Sequence, residues 1–378
     1  MADIEKEREV FRQNAREVAR NVVAPRAKEI DSEGEFAWDL VDAYSKYGFL
    51  SLVIPKQYGG SEGDTTSFCA VAEEIARYCA SSALLVIVQA VGTMPIVMGG
   101  SEELKARYLT KIAKEKALVC FCLTEPDAGS DAASIRTKAV LQGDHYVING
   151  RKCFITNGGV GDLYTVFAVT QPEKKMEGIT GFVVEKGTPG LSIGKKEEKM
   201  GIRGSNTTEV VLEDVKIPVS QRIGDENGGW WLMMKTLNRS RPAIGAQAVG
   251  LAQGALDYVI QYGRQKGWAD GKDGCNQSRL ADMAIEIEAA RALVYKAANM
   301  MDEKAKGTPV QMFSAMAKYH ASDMAMKVTT EAVQMMQWEG LGKNHPVERM
   351  MRDAKVIQIF EGTNQIQRLV IAHTLLKG

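Results

Sequence analysis

The chain has 378 residues, of which 45% are hydrophobic and 25% are charged, and 47 basic side chains balance 47 acidic ones. This composition is typical of a soluble globular protein and excludes a disordered, fibrous or disulfide-scaffold chain. A formal net charge of zero creates no field that would gather nucleic acid or an anionic membrane, so neither is expected as a partner.

Apolar residues at helical spacing dominate the first 115 residues. One such pattern runs from Ile4 to Val22 and is expected to stop at Pro25, and others cover 38–47, 68–78 and 104–113. The apolar run 80–98 contains serine, glutamine, glycine, threonine and proline, which favours a buried helix over a membrane span. The charged opening residues do not resemble a secretory signal, so we expect a cytoplasmic protein.

Short β-rich runs replace the helical pattern between residues 116 and 226. The pair Asn149–Gly150 lies between two apolar runs and predicts the turn of a β-hairpin. Further strands are predicted over 163–170, 181–185, 191–195 and 209–217, with proline or glycine at their ends. This middle part is therefore predicted to be a β-sheet domain.

Helical spacing returns at Gly229 and continues almost to the end of the chain. The order of helix, sheet and helix predicts an α+β protein with domains at 1–115, 116–226 and 227–378. The six cysteines contain no C-x-x-C pair, and the four histidines are scattered, so reduced thiols are expected and no metal site is predicted.

Two local motifs carry the chemical information. In the run 122–131, Thr124 and Ser130 supply hydroxyls, and Gly129 lets backbone N–H groups approach a ligand closely. An ordinary capped turn would have a similar sequence.

The second motif, 353–368, places the carboxylate of Glu361 between Phe360 and the Gly362–Thr363 pair that opens a helix. Apolar neighbours raise the pKa of a carboxyl group, which suits a general base. The alternative is a glutamate stabilised by the dipole of the helix that follows it.

These two motifs, in a helix–sheet–helix chain of this length, closely resemble the acyl-CoA dehydrogenase family. The resemblance covers essentially the whole chain and includes the segments 55–60, 124–126, 150–158, 199–203, 213–218 and 248–253. It implies an N-terminal α-helical domain, a barrel-like middle β-sheet domain and a C-terminal four-helix bundle. It also implies FAD as cofactor, a homotetramer, and electron-transfer flavoprotein as the electron acceptor.

The family's reaction removes the pro-R hydrogens from Cα and Cβ of a CoA thioester and gives the trans-2-enoyl-CoA. By this resemblance Glu361 takes the α-proton, while the β-hydrogen leaves as hydride to flavin N5. The backbone N–H of Glu361 and a flavin ribityl hydroxyl would polarise the thioester carbonyl. Some relatives carry the base at the position of Ser240, and because serine cannot act as that base, the assignment to Glu361 is strengthened.

The resemblance also assigns the remaining site residues. Arg241 matches a position at the substrate site, although a surface arginine at a helix start would look the same. The substrate contacts carried over are Ser130, Asn238, Arg241 and Gly362. The cofactor contacts carried over are Phe121, Leu123, Thr124, Gly129, Ser130, Phe154, Ile155, Thr156, Thr363 and Gln365.

Two segments depart from the family pattern at the adenosine and pyrophosphate half of FAD. Lys266 stands in 264–270 where relatives have arginine, and 334–340 keeps Gln334 but has Trp338 in place of a glycine. Lysine lacks the bidentate fork of arginine. We therefore expect Lys266, Gln334 and Trp338 to hold FAD differently or more weakly, with Trp268 or Trp338 stacking on adenine, or the usual subunit interface to be altered.

The sequence leaves several alternatives open. The same site could serve a flavin-dependent enoyl-CoA reductase, and the altered segments could belong to a flavin-free structural subunit of a hetero-oligomer. Relatives that accept a glutaryl chain have an arginine near the position of Leu85, where this chain offers apolar groups and Gln89. A dicarboxylic substrate is therefore disfavoured, and short linear, branched and alicyclic acyl groups are all compatible.

Overall fold

A computed structural model of the chain describes residues 2–270, 274–303 and 310–377. The first third is helical. Its α-helices are α1 (Ala2–Val18), α2 (Ala24–Glu33), α3 (Trp38–Lys46), α4 (Thr65–Ala76), α5 (Ala80–Gly99) and α6 (Glu102–Glu115). Helix α5 is long and apolar enough to cross a membrane, but 83% of its most apolar window is buried inside the protein. It is therefore the core helix that its polar residues predicted.

The sequence predicts that the helix stops at Pro25, and this prediction is wrong, because the chain remains helical through Pro25. A π-helical turn, Ala19–Val23, follows α1 directly, and α2 then begins with Pro25 in its first turn. Proline is tolerated at that position because the first N–H groups of an α-helix have no intrahelical partner. The wider turn lets the chain pass into a new helix without a loop.

The middle of the chain folds into one sheet. Within the described residues it contains the strands β1 (Val119–Cys122), β2 (Lys138–Gln142), β3 (His145–Thr156), β4 (Leu163–Val169), β5 (Ile179–Glu185), β6 (Leu191–Lys196), β7 (Thr207–Pro218) and β8 (Arg222–Ile223). The strand order is β6-β7-β3-β2-β4-β5-β8, and β1 pairs in parallel with β4. The long antiparallel pair of β3 and β7 brings the end of β3 next to the start of β7.

The hairpin predicted at Asn149–Gly150 is wrong, because β3 runs through both residues. The register between β3 and β7 shifts there, and Asn149 exchanges hydrogen bonds with the backbone N–H (2.8 Å) and side chain (3.0 Å) of Asp214. Gly150 is needed for close approach, since a Cβ would lie 2.3 Å from Thr137 Oγ1. The hairpin turn lies earlier, between β2 and β3, and contains Gly143 in the left-handed region.

Long helices form the C-terminal part: α7 (Gly229–Gln265), α8 (Gly274–Asp302), α9 (Val310–Gly340), α10 (Val347–Ile357) and α11 (Asn364–Lys377). Helix α7 packs on α8 and α9, and it also contacts α4 and α5 of the N-terminal part. One hydrophobic core therefore joins the two helical regions. The predicted domain boundaries at 115/116 and 226/227 stay a prediction.

All six cysteines are free thiols. Cys275 is exposed, and the others are buried. Among the described residues no group of His, Cys, Asp and Glu could hold a metal ion.

Candidate active site

Glu361 lies in the short connection between α10 and α11, and its side chain is half-buried. Its backbone is in the left-handed region (φ 56°), and so is that of Gly362 (φ 93°). The hydroxyl of Ser240, on α7, donates a 3.2 Å hydrogen bond to Glu361 Oε2. The structure thus joins the C-terminal motif to the helix position at which some relatives would carry the base.

The electrostatic surroundings of Glu361 act in two directions. Burial raises the pKa of its carboxyl group, while the hydrogen bond from Ser240 and the cations of Arg241 and Lys318 act to lower it. Burial has the larger effect, so the pKa lies above its ordinary value. A carboxylate of this kind is a stronger proton acceptor than an exposed glutamate.

Arg241 is buried, which rules out the surface-arginine alternative. Its Nη1 donates to Asn238 Oδ1 at 2.7 Å, but its buried Nε has no protein partner. Burial lowers the pKa of this guanidinium to about 10, and the charge of Glu361 opposes that effect. A buried charged group without full hydrogen bonding is costly, so the free N–H of Arg241 is suited to a ligand.

Nothing in the sequence indicated a buried lysine that contacts the backbone next to Glu361. Lys318, on α9, is fully buried and donates to Gly362 O (2.9 Å) and Asn364 Oδ1 (2.8 Å). Gln367 Nε2 donates to the same Gly362 carbonyl at 2.9 Å. A lysine inside a helical pattern gives no local sign of burial, so the residues around Lys318 offered no signal for this role.

The backbone N–H of Glu361 is also unengaged. Among the described residues it donates to no protein acceptor, whereas Phe360 N and Asn364 N bond to Val356 O and Gln358 O. An unpaired N–H next to a carboxylate could polarise a carbonyl group placed between them.

The predicted cofactor residues of the β-domain come from two segments that the structure brings together. Cys153 N donates to Thr124 O at 2.9 Å, which links β3 to the loop after β1. Lys152, fully buried, donates to Leu123 O (3.0 Å) and to Glu125 Oε1 (2.8 Å). A buried ion pair therefore fixes the spacing of the two segments.

The side chains of this set differ in exposure. Phe154 is 64% exposed and has a left-handed backbone (φ 55°), which is uncommon for an aromatic residue. Gly129 and Ser130 are exposed, and no atom lies within 4 Å of a Cβ built on Gly129. Thr124, Thr156 and Phe121 are half-buried.

Leu123 and Ile155 are different, because their side chains lie in the hydrophobic core. Only their backbone groups could contact a ligand. Near α11, Thr363 Oγ1 accepts a hydrogen bond from Ile366 N at 3.3 Å and caps the helix, while Gln365 is exposed.

The two segments that depart from the family pattern lie side by side. Lys266 Nζ donates to Glu339 Oε1 at 3.0 Å, and Gln334 is exposed. Trp338 is 78% exposed and follows Gln337, whose backbone is non-helical. Trp268 is half-buried, packs against Tyr262 with ring centroids 5.7 Å apart and covers Gly263, so Trp338 is the tryptophan that is free to stack.

These features fit a flavin nucleotide at the positions that the resemblance assigns. The exposed ring of Phe154, the open backbone at Gly129 and the exposed hydroxyl of Ser130 are groups that a planar ring system could contact. The exposed Trp338 offers a stacking surface to an adenine ring, whereas the charge of Lys266 is already paired with Glu339.

Comparison with known proteins gives matches along the whole chain. Family models described as acyl-CoA dehydrogenase N-terminal, middle and C-terminal domains match residues 5–116, 120–215 and 227–376. The chain is 44% identical over 382 residues to cyclohexane-1-carbonyl-CoA dehydrogenase of Geobacter metallireducens, covering 100% of this chain and 99% of the relative.

Two solved structures are also similar. Butyryl-CoA dehydrogenase from Megasphaera elsdenii superimposes with a TM-score of 0.93 at 41% identity, covering 98% of each chain. A chain from work on the electron transferring flavoprotein of Acidaminococcus fermentans and flavin-based electron bifurcation superimposes with a TM-score of 0.94 at 40% identity, again over 98% of each chain.

Proposed function

Because the chain belongs to the acyl-CoA dehydrogenase family, we propose that it is an FAD-dependent enzyme that oxidises an acyl-CoA thioester to the 2-enoyl-CoA, with Glu361 as the base. The observation that carries this proposal is the half-buried Glu361 carboxylate, which accepts a hydrogen bond from Ser240 and has a raised pKa. FAD, when bound, supplies the acceptor for the β-hydrogen as hydride.

The protein's own part is to remove the α-proton and to stabilise the charge that develops. Glu361 takes the proton, and its unpaired backbone N–H donates to the thioester carbonyl, which makes the α-proton more acidic. Arg241, held by Asn238, has a free N–H for the substrate. Gly362, which follows the base in the left-handed region, lets the chain turn sharply there.

We infer a short-chain, branched or alicyclic acyl group, and among these an alicyclic one is supported by the name of the Geobacter relative. Helix α5 supports an apolar acyl chain, because Leu85 is buried and Gln89 is occupied by hydrogen bonds to Ala117 O (2.8 Å) and Val119 N (3.0 Å). The free carboxylate of a glutaryl chain would meet no basic side chain among residues 80–89 of this helix.

Electron-transfer flavoprotein is proposed as the electron acceptor, and similarity to the chain from the electron-bifurcation work supports it. A homotetramer is proposed from family membership. The Lys266–Glu339 pair and the exposed Trp338 are proposed to complete the FAD site of a neighbouring subunit.

The decisive experiment is an anaerobic absorption spectrum of the purified protein, before and after adding CoA thioesters. The panel contains cyclohexane-carbonyl, butyryl, isobutyryl and glutaryl thioesters. We expect the flavin band of the wild type to bleach with the alicyclic or short thioesters and to remain unbleached with glutaryl-CoA. In the Glu361→Gln variant the band should remain unbleached with every thioester of the panel. A folded protein that takes up no FAD when FAD is supplied would instead be a structural subunit.

A further inference from the structure

The segment that carries Glu361 is anchored to α9 from both sides. Before Glu361, Gln358 Nε2 donates to Asp323 Oδ1 at 2.7 Å. After it, Asn364 Nδ2 donates to the same Asp323 oxygen at 2.6 Å and to Ser322 Oγ at 2.9 Å. The connection between α10 and α11 is therefore tied to one face of a long helix.

Lys318 lies at the centre of this anchor. Its ammonium group donates to Gly362 O and to Asn364 Oδ1, and its side chain has no exposed surface. The Gly362 carbonyl also accepts from Gln367, so a single carbonyl oxygen receives two side-chain donors. Such a doubly held peptide cannot rotate without breaking buried hydrogen bonds, which is costly.

The backbone that Lys318 holds is strained. Glu361 has a positive φ of 56°, a left-handed conformation that a residue with a Cβ adopts only at an energetic cost. A Cβ on Gly362 would lie 2.6 Å from Gln367 Nε2, so a larger residue would displace that donor. Strained residues persist only where their surroundings fix them, and here the surroundings are Lys318 and Gln367.

Lys318 also acts on Glu361 electrostatically, through its positive charge. Burial raises the pKa of Glu361 and lowers that of Lys318, and the attraction between the two charges opposes both effects. Arg241, the other nearby cation, opposes the charge on Lys318, and Asp323 favours it. Removing Lys318 would leave the half-buried carboxylate of Glu361 with one cation fewer beside it.

We propose that Lys318 is a positioning residue for Glu361: its buried ammonium holds the Gly362 carbonyl, keeps the strained backbone of the base in place and favours the ionised carboxylate. This inference rests on the proposed function, because it concerns the same base. It assigns Lys318 no contact with the substrate.

The test compares Lys318→Gln, which keeps a donor but loses the charge, with Lys318→Arg, which keeps the charge. Lys327→Met is the matched control, because Lys327 lies on the same helix with an exposed side chain. The rate of flavin reduction by an active thioester is measured against pH, together with thioester affinity. A displacement of reacting groups by about 1 Å costs roughly 100-fold in rate.

For Lys318→Gln we expect a loss of that order with thioester affinity changed less than threefold, and an acid limb shifted to higher pH. Lys318→Arg should retain the wild-type acid limb, and Lys327→Met should retain both rate and profile. Wild-type rates and profiles in both Lys318 variants would overturn the proposal. An equal shift of the limb in the two variants would overturn it as well, because it would assign the effect to packing.

A readout that needs no turnover separates this proposal from the proposed function. The infrared band of a protonated carboxyl group that is missing from Glu361→Gln reports the titration of Glu361 in the flavin-loaded protein directly. It should titrate at higher pH in Lys318→Gln than in the wild type. If the wild-type flavin never bleaches, the proposed function fails, and this titration still decides whether Lys318 acts on Glu361.

Discussion

The hydroxyl of Ser240 donates to Glu361 Oε2 across 3.2 Å, joining α7 to the connection that precedes α11. A hydrogen bond to a carboxylate stabilises the ionised form, and in this site it acts against burial. Ser240 thus acts to lower the pKa of Glu361 but cannot itself serve as the base.

Replacing Ser240 with alanine should raise the pKa of Glu361 further. The base must be ionised to take a proton, so activity falls as pH falls through this raised pKa. We expect the acid limb of the flavin-reduction rate to move to higher pH in Ser240→Ala, because the hydrogen bond that lowers the pKa of Glu361 is lost. Thr330→Ala, an exposed position on α9, is the control. An unchanged acid limb in Ser240→Ala would contradict the prediction.

Lys152→Met should strongly destabilise the middle sheet. The substitution removes the partner of Glu125 in a buried ion pair, and leaving such a charge unpaired costs about 3–5 kcal/mol. The free energy of unfolding is measured by urea denaturation, with Lys138→Met, at an exposed position on β2, as the control. A loss below about 1 kcal/mol would show that Glu125 finds compensation from Thr137 and the neighbouring backbone.

Trp338→Ala should weaken FAD binding. Stacking of a base on an aromatic side chain contributes about 1–3 kcal/mol, so we expect roughly a 5- to 150-fold rise in the dissociation constant. Titration of the apoprotein with FAD measures it, and the part of the tryptophan quenching that disappears in Trp338→Ala gives a second readout. Trp38→Ala, another exposed tryptophan that lies on α3, serves as the control. Equal affinity in all three proteins would exclude stacking by Trp338.

The stability of the wild type should rise with pH relative to Lys318→Met. Burial lowers the pKa of Lys318 to about 7 from an ordinary 10.5, so between these values the unfolded chain binds more protons. Protonation therefore favours unfolding across this window, and the contribution grows by at most about 1.4 kcal/mol per pH unit. Urea denaturation at pH 7, 8 and 9 measures it, with Lys327→Met as control. Parallel pH profiles would contradict the prediction.

The fold class was predictable because periodicity spans whole helices and strands. The predictions that were wrong each concerned one short segment of the chain. Asn149–Gly150 has the sequence of a tight turn, but its use is decided by Asp214, which is 65 residues away in the chain. Pro25 did not interrupt the helical path because a π-helical turn precedes it and lets a new helix begin there. Such a turn has no sequence signal of its own.

The candidate site, too, could be predicted from the sequence only in part. Glu361 could be singled out because its motif is short and specific. The burial of Lys318, however, depends on α11 and the 358–364 segment packing over α9, which the residues around it in sequence do not encode. Ser240 was identified only as a position that could not hold the base, and its hydrogen bond to Glu361 required the structure.

The contrast between Cys275 and the other cysteines has a practical use in labelling. Burial raises the pKa of the Cys69, Cys79, Cys120, Cys122 and Cys153 thiols, so little thiolate is present in them at neutral pH. A maleimide dye added to the native protein should therefore attach once per chain, at the start of α8. Because Cys275 lies nine positions after Lys266 in the chain, such a dye would report FAD uptake and subunit association. No engineered cysteine would be needed.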